Sequence, residues 1–151
     1  MFTNKFASRL NSFKSNWNSD EKPTIKGLIE RASRVKGLTH VDLNYPDHNQ
    51  PSIKEISNIT NDCGLEINGL AMRYYTNPSF KLGAFTNPNK QVRREAIDLT
   101  KKAIDELRQI NSNILTIWLG QDGFDYGFQV DYKKIWEEEI SAIKEVAEYD
   151  K

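Results

Sequence analysis

The sequence predicts an α/β fold made of four consecutive βα units with parallel strands. Three observations lead there. Short runs rich in β-branched and apolar residues alternate with longer stretches in which apolar residues recur every three or four positions. One short run, Asn113 to Leu119, is almost continuously apolar, the pattern of a strand covered on both faces. A helix-length segment parts each run from the next, which is the crossover that parallel neighbours need.

The elements follow in order. Phe6 to Phe13 is expected to form the first strand. After Pro23, the spacing of Ile25, Leu28, Ile29, Ala32 and Val35 predicts a helix that stops at Gly37. Leu38 to Leu43 reads as the second strand, closed by the turn-forming Asn44, Tyr45, Pro46 and Asp47. Ser52 and Glu55 have capping-box spacing, in which hydroxyl and carboxylate satisfy free N–H groups at a helix start. Ile53, Ile56 and Ile59 continue that helix, and Gly64 ends it.

Leu65 to Met72 predicts a third strand, and a polar connection from Tyr74 to about Asn89 follows. That connection is longer than the common βα loop, and loops of such length are often functional. Asn87 and Pro88 offer a capping side chain and a first-turn proline. Val92, Ala96, Ile97, Leu99, Ala103, Ile104, Leu107 and Ile110 then sustain a helical stripe. A last helix starts near Asp131, with Tyr132, Ile135, Trp136, Ala142, Ile143 and Val146 expected inward. Periodicity does not separate four units of an open sheet from four units of a closed barrel. With no linker or low-complexity tract, residues 1–151 read as one domain.

Composition narrows the function classes. Hydrophobic residues at 38% and charged residues at 28% describe a globular chain, too apolar for disorder. Twenty-one basic residues balance twenty-one acidic ones, so there is no net field to hold nucleic acid or an anionic membrane. The single cysteine, Cys63, has no partner for a disulfide or a metal pair, which fits a reducing, cytoplasmic location. The residues from Met1 to Arg9 lack a signal-peptide apolar core, and no stretch reaches the length of a membrane span. No G-x-G-x-x-G or Walker pattern follows a strand, which argues against phosphate-loop chemistry.

The run from Tyr75 through Thr76, Asn77, Pro78, Ser79, Phe80, Lys81, Leu82, Gly83, Ala84, Phe85 and Thr86 to Asn87, followed by Val92, Arg93, Arg94, Glu95, Ala96 and Ile97, resembles the region after the third strand of xylose isomerases. Trp118, followed by Gly120 and a polar loop, is similar to the tryptophan-bearing strand that comes next in that family. The loop Gln121, Asp122, Gly123, Phe124, Asp125, Tyr126 is closer to the broader xylose-isomerase-like group, which includes rhamnose-type isomerases and ketose epimerases. The resemblance implies the first half of a (β/α)8 TIM barrel, spanning strands one to four and helices one to four. It also implies sugar isomerase chemistry, in which hydrogen moves between adjacent carbons of an open-chain aldose or ketose.

On that resemblance, Phe85 and Trp118 form an aromatic wall against the sugar. Asn44 stands where xylose isomerases carry a ring-opening histidine, with His48 four residues on, and Asp122 offers a sugar-hydroxyl contact. The family's divalent metal (Mn, Mg or Co) is held by carboxylates and a histidine on strands five to eight, together with a catalytic lysine. None of these positions falls within this chain, so no metal is expected to bind it alone, no catalytic residue is assigned, and the isolated chain is expected to be inactive, as a fragment would be.

Plainer readings stand beside these. A tryptophan on an apolar strand usually packs, a histidine in a polar turn is usually solvated, and Asp beside Gly is common turn chemistry, so Asp122 and Asp125 also read as a plain loop. Arg93 and Arg94 are read as one loop-orienting side chain and one facing water, and the acidic run Glu137 to Glu139 as a solvated face. The alternative function is a self-contained, non-catalytic α/β module that binds a small polyol or a protein partner. A half barrel would leave sheet edges unpaired, which predicts homo-oligomers or poor solubility.

Overall fold

The computed structural model describes residues 4–15, 23–48, 50–110 and 112–150; the N-terminal residues Met1, Phe2 and Thr3 lie outside them. The chain packs as two compact units. One comprises Met1–Met72 with Glu106–Thr116, and the other Arg73–Asp105 with Ile117–Lys151.

The first unit holds a four-stranded sheet in the order β1 (Ala7–Arg9), β2 (His40–Tyr45), β3 (Glu66–Met72), β4 (Ile114–Thr116). Every neighbouring pair is parallel, as predicted. Helix α1 (Ile25–Ser33) starts where the Thr24 hydroxyl accepts from the Gly27 N–H. It buries Leu28, Ile29 and Ala32. Helix α2 (Ile53–Asp62) carries the full capping box, with Ser52 Oγ accepting from Glu55 N–H and the Glu55 carboxylate accepting from Ser52 N–H. The Ser52 hydroxyl, donating to Glu55 Oε2 at 2.6 Å, and then the Ser52 N–H hold the Glu55 carboxyl below its ordinary range. Gly64, at φ 73°, ends the helix in the left-handed region that glycine tolerates best.

Two strands depart from expectation. Only Ala7–Arg9 pairs as β1, and Leu10–Phe13 tightens into a 3-10 turn, because Asn11 and Ser12 favour turns and Leu10 drops fully into the core. The fourth strand, expected to be buried on both faces, is the short edge strand β4, paired with β3 alone; its Ile114 is 44% exposed. Within β3 the register slips at Asn68, which bulges between Ile67 and Gly69 while its side-chain N–H donates to Asp42 Oδ1 at 2.8 Å.

The second unit begins with two 3-10 turns, Tyr74–Thr76 and Pro78–Phe80. It contains most of α3 (Lys90–Gln109) and all of α4 (Tyr132–Glu148). Its core is aromatic: the Tyr74 ring meets Phe80 at 5.9 Å and Phe85 at 5.5 Å, and its hydroxyl bonds Thr100 Oγ1 at 2.6 Å. Burial pushes the Tyr74 phenol well above its usual range. Helix α3 starts later than expected. Asn89, not Asn87, caps it by accepting from Gln91 N–H, while Asn87 donates its amide to the Gly83 carbonyl at 2.8 Å and closes the preceding loop.

The expected inward face of α4 is only partly inward. Ala142 and Val146 are buried, whereas Trp136 is 59% and Ile143 41% exposed, because no described element covers that side. Arg93 orients the loop before α3, as expected, while Arg94, expected to face water, is 46% exposed and also ion-paired. Arg93 donates to the Asn87 carbonyl at 2.6 Å and pairs with Glu138 at 2.9 Å; Arg94 pairs with Glu145 at 2.6 Å. With Lys101 also on Glu145, the Glu145 carboxyl is held down to about 2 by these donors.

Candidate functional site

In a parallel βα architecture, sites form at the C-terminal ends of the strands and in the loops that follow. Each unit, taken by itself, has such residues. In the first unit, Asn44 lies one residue from the end of β2, buried to 1% exposure. The turn through Pro46 and Asp47 brings His48 back: its Nδ1 accepts from Asn44 N–H at 3.1 Å, and its own N–H donates to the Asn44 carbonyl at 2.8 Å. A ring whose Nδ1 accepts carries its proton on Nε2 when neutral. Arg9, at the end of β1, donates to Asn44 Oδ1 at 3.4 Å. Asn44 Nδ2 is buried and has no hydrogen-bond partner among the described residues. The structure thus joins Asn44 and His48, which the sequence only placed four residues apart, and adds Arg9.

In the second unit, Trp118 follows β4 by two residues and stays 48% exposed. It meets Tyr75 edge-to-face at 5.2 Å. Phe85, the other half of the expected wall, is fully buried against Tyr74. Its ring therefore offers packing and no open surface, so the exposed aromatic surface here belongs to Trp118 and its neighbour.

Asp122 is engaged by the chain itself. Oδ1 accepts from Ala84 N–H at 2.8 Å, and Oδ2 accepts from Thr86 N–H and from the Thr86 hydroxyl, each at 2.8 Å. These bonds tie down the loop on both sides of Phe85. Gly83, at φ 105°, makes the approach possible, since a Cβ there would stand 2.8 Å from Thr86 Oγ1 and 3.3 Å from Asp122 Oδ2. The carboxylate that the sequence offered for a sugar hydroxyl is used to shape a loop. Replacing Asp122 with alanine is expected to lower unfolding free energy by about 2 kcal/mol, because charge-assisted bonds to backbone donors are lost together. Asparagine is not expected to rescue it, since its amide NH2 would face an N–H donor. Urea unfolding of both variants measures this.

Comparisons with known proteins follow the same outline. No protein-family model matches the sequence. A xylose isomerase of Thermus thermophilus is 23% identical over 104 residues, 69% of this chain and 27% of that protein. Among solved structures, a D-psicose 3-epimerase with D-tagatose from Clostridium cellulolyticum H10 superposes with a TM-score of 0.66 at 18% identity, over 96% of this chain and 48% of the other. A D-allulose 3-epimerase from Methylomonas sp., in complex with D-allulose, gives 0.69 at 14% identity, over 96% and 46%. The chain is similar to the xylose-isomerase-like TIM-barrel superfamily. It spans less than half the length of these structural relatives.

Measured against the xylose-isomerase-like pattern, a metal does not fit the described residues. No three His, Cys, Asp or Glu side chains converge among them. The Asp122 carboxylate already accepts from N–H and O–H donors of the chain. Among the described residues, no helix is long and apolar enough to cross a membrane.

Sequence reasoning missed Arg73. It directly follows β3, and its guanidinium stacks 4.5 Å from the Tyr75 ring centroid and 5.8 Å from that of Trp118. Its position right after a predicted strand was the available signal, since that is where parallel folds place functional side chains.

Proposed function

We propose that the chain is the N-terminal half of a metal-dependent sugar isomerase or epimerase, and that it supplies part of the substrate-facing surface without the metal-holding residues. What carries this reading is the fold match, which takes in 96% of this chain and 48% of a D-psicose 3-epimerase. The Thermus thermophilus xylose isomerase supports it at the level of sequence.

In the proposed arrangement Trp118 lies against the apolar side of an open-chain sugar and excludes water from the shifting hydrogen. Taken by itself, the first unit offers Asn44 and His48 as polar groups for sugar oxygens, with Asn44 Nδ2 as a donor. Phe85 and Asp122 act by fixing the loop between β3 and α3. The divalent cation, in the full assembly, would polarise the substrate oxygens from residues outside these four units.

A second reading is favoured by one observation. The exposed Trp136, Ile140 and Ile143 give α4 an apolar side that suits a protein partner or a second copy of the chain. On that reading the chain is a non-catalytic module, and the edge strands β1 and β4 add to its tendency to self-associate.

One experiment separates the two. The purified chain, assayed with Mn2+, Mg2+ or Co2+ on D-xylose and D-fructose, is expected to show no turnover, yet to bind these sugars weakly with a shift in the Trp118 indole resonance. The Trp118→Ala variant is expected to bind at least about tenfold more weakly. Metal-dependent turnover by the chain alone would refute its inactivity, equal sugar binding by the variant would remove Trp118 from the sugar surface, and no sugar binding at all would favour the second reading.

A further inference from the structure

Arginine is costly to leave without partners when it is partly covered, because its fork presents five N–H donors and no acceptor. Arg73 is half-buried. Among the described residues its guanidinium makes no hydrogen bond and no ion pair, and its Nε is buried with no partner. What holds it is the pair of aromatic faces: Tyr75 at 4.5 Å and Trp118 at 5.8 Å. Those two rings stand nearly perpendicular, at 84°, with the guanidinium carbon over both.

The ring contacts lie on the faces of the guanidinium and Nε is enclosed, so the edge that could serve a ligand is the terminal Nη1–Nη2 one. That edge carries the parallel N–H pairs that match the two oxygens of a carboxylate or the oxygens of a phosphate. The contrast with the other arginines of this unit is informative, since Arg93 and Arg94 each have a carboxylate partner within the chain. Arg73 alone of these three keeps its edge unspent, and it does so directly after β3, beside the exposed Trp118.

We infer that Arg73 recognises an anionic group, a carboxylate or a phosphate, carried by the sugar that lies against Trp118. The substrate class is then a sugar acid or a sugar phosphate instead of a neutral sugar. This rests on the proposed sugar-binding function and narrows it. Tyr75 is a positioning residue, because it holds the guanidinium flat while touching the ligand only through it.

The test is titration of the full chain with D-glucose, D-glucuronate, D-glucose 6-phosphate and inorganic phosphate. The Arg73 Nε–H and Trp118 indole resonances are followed by NMR, and Kd by calorimetry. At least one charged sugar is expected to bind about tenfold or more tightly than glucose and to move both resonances. Arg73→Met should abolish that preference. Arg73→Lys, which keeps the charge but loses the fork and the stack, should retain a minor part of it; circular dichroism confirms that both variants are folded.

Preference for glucuronate or for the 6-phosphate identifies which anion is read, and either supports the inference. Inorganic phosphate moving Arg73 when no sugar binds supports anion recognition and counts against the sugar reading. Equal binding of glucose and the charged sugars, unchanged in Arg73→Met, overturns the inference and leaves the sugar reading standing. An Arg73 resonance that responds to none of the four also overturns it.

Discussion

The Phe85→Ala variant is expected to lose about 4 kcal/mol of unfolding free energy, enough to jeopardise the fold of a chain this size. Phe85 has no exposed surface, and its ring lies 5.5 Å from that of Tyr74. Truncating it removes a large buried area and leaves a cavity beside a phenol whose hydroxyl is fixed to Thr100. The backbone cannot relax freely into that space. Ala84 and Thr86, on either side, are bonded to Asp122. Trp118→Ala removes a ring that is 48% exposed, and is expected to change stability by no more than about 1 kcal/mol. Urea unfolding followed by circular dichroism measures both. A cost below about 1 kcal/mol for Phe85→Ala would mean that the ring is not core, and would return it to the sugar-facing wall.

The order of strands and helices was legible because each unit announces itself locally. The capping box of Ser52 and Glu55 and the stop at Gly64 are short-range signals, and the structure realises both. What periodicity cannot state is which apolar stripe finds a cover. Trp136 and Ile143 have the spacing of an inward face, yet both are largely exposed, since hydrophobic spacing records a preference for burial and not the presence of a partner. The same reasoning applies to Ile114 in β4: an apolar run looks alike at the centre of a sheet and at its edge.

The site was less legible, for a related reason. Asp122 bonds to residues 36 and 38 positions earlier, so its role as a loop anchor depends on tertiary geometry that Asp beside Gly does not encode. Phe85 was placed in a polar loop, where an aromatic side chain invites a functional reading. The loop instead folds it into the core around Tyr74. Asn44 and His48 were nominated by resemblance, and their mutual hydrogen bonds come from the turn that follows β2.

Gly69→Ala is the second large effect, expected to cost about 3 kcal/mol through steric conflict. Gly69 is paired with Ile114 across the β3–β4 ladder, directly after the Asn68 bulge. A Cβ there would fall on the Ile114 carbonyl oxygen and stand 2.9 Å from Ile114 Cβ. Backbone, unlike the end of a flexible side chain, cannot swing aside, so β4 must move as a strand. It has little to hold it: three residue pairs join β4 to β3, and Ser112 Oγ reaches the Asn68 carbonyl at 2.6 Å. Gly64→Ala is the control, because Gly64 has φ 73° but nothing within 4 Å of its would-be Cβ. Its cost should be limited to the backbone conformation, about 1 kcal/mol. Amide exchange distinguishes the mechanisms: in Gly69→Ala the β4 amides lose protection while those of α1 and α2 keep theirs, and equal loss in both places would assign the damage to global unfolding instead of a displaced edge strand.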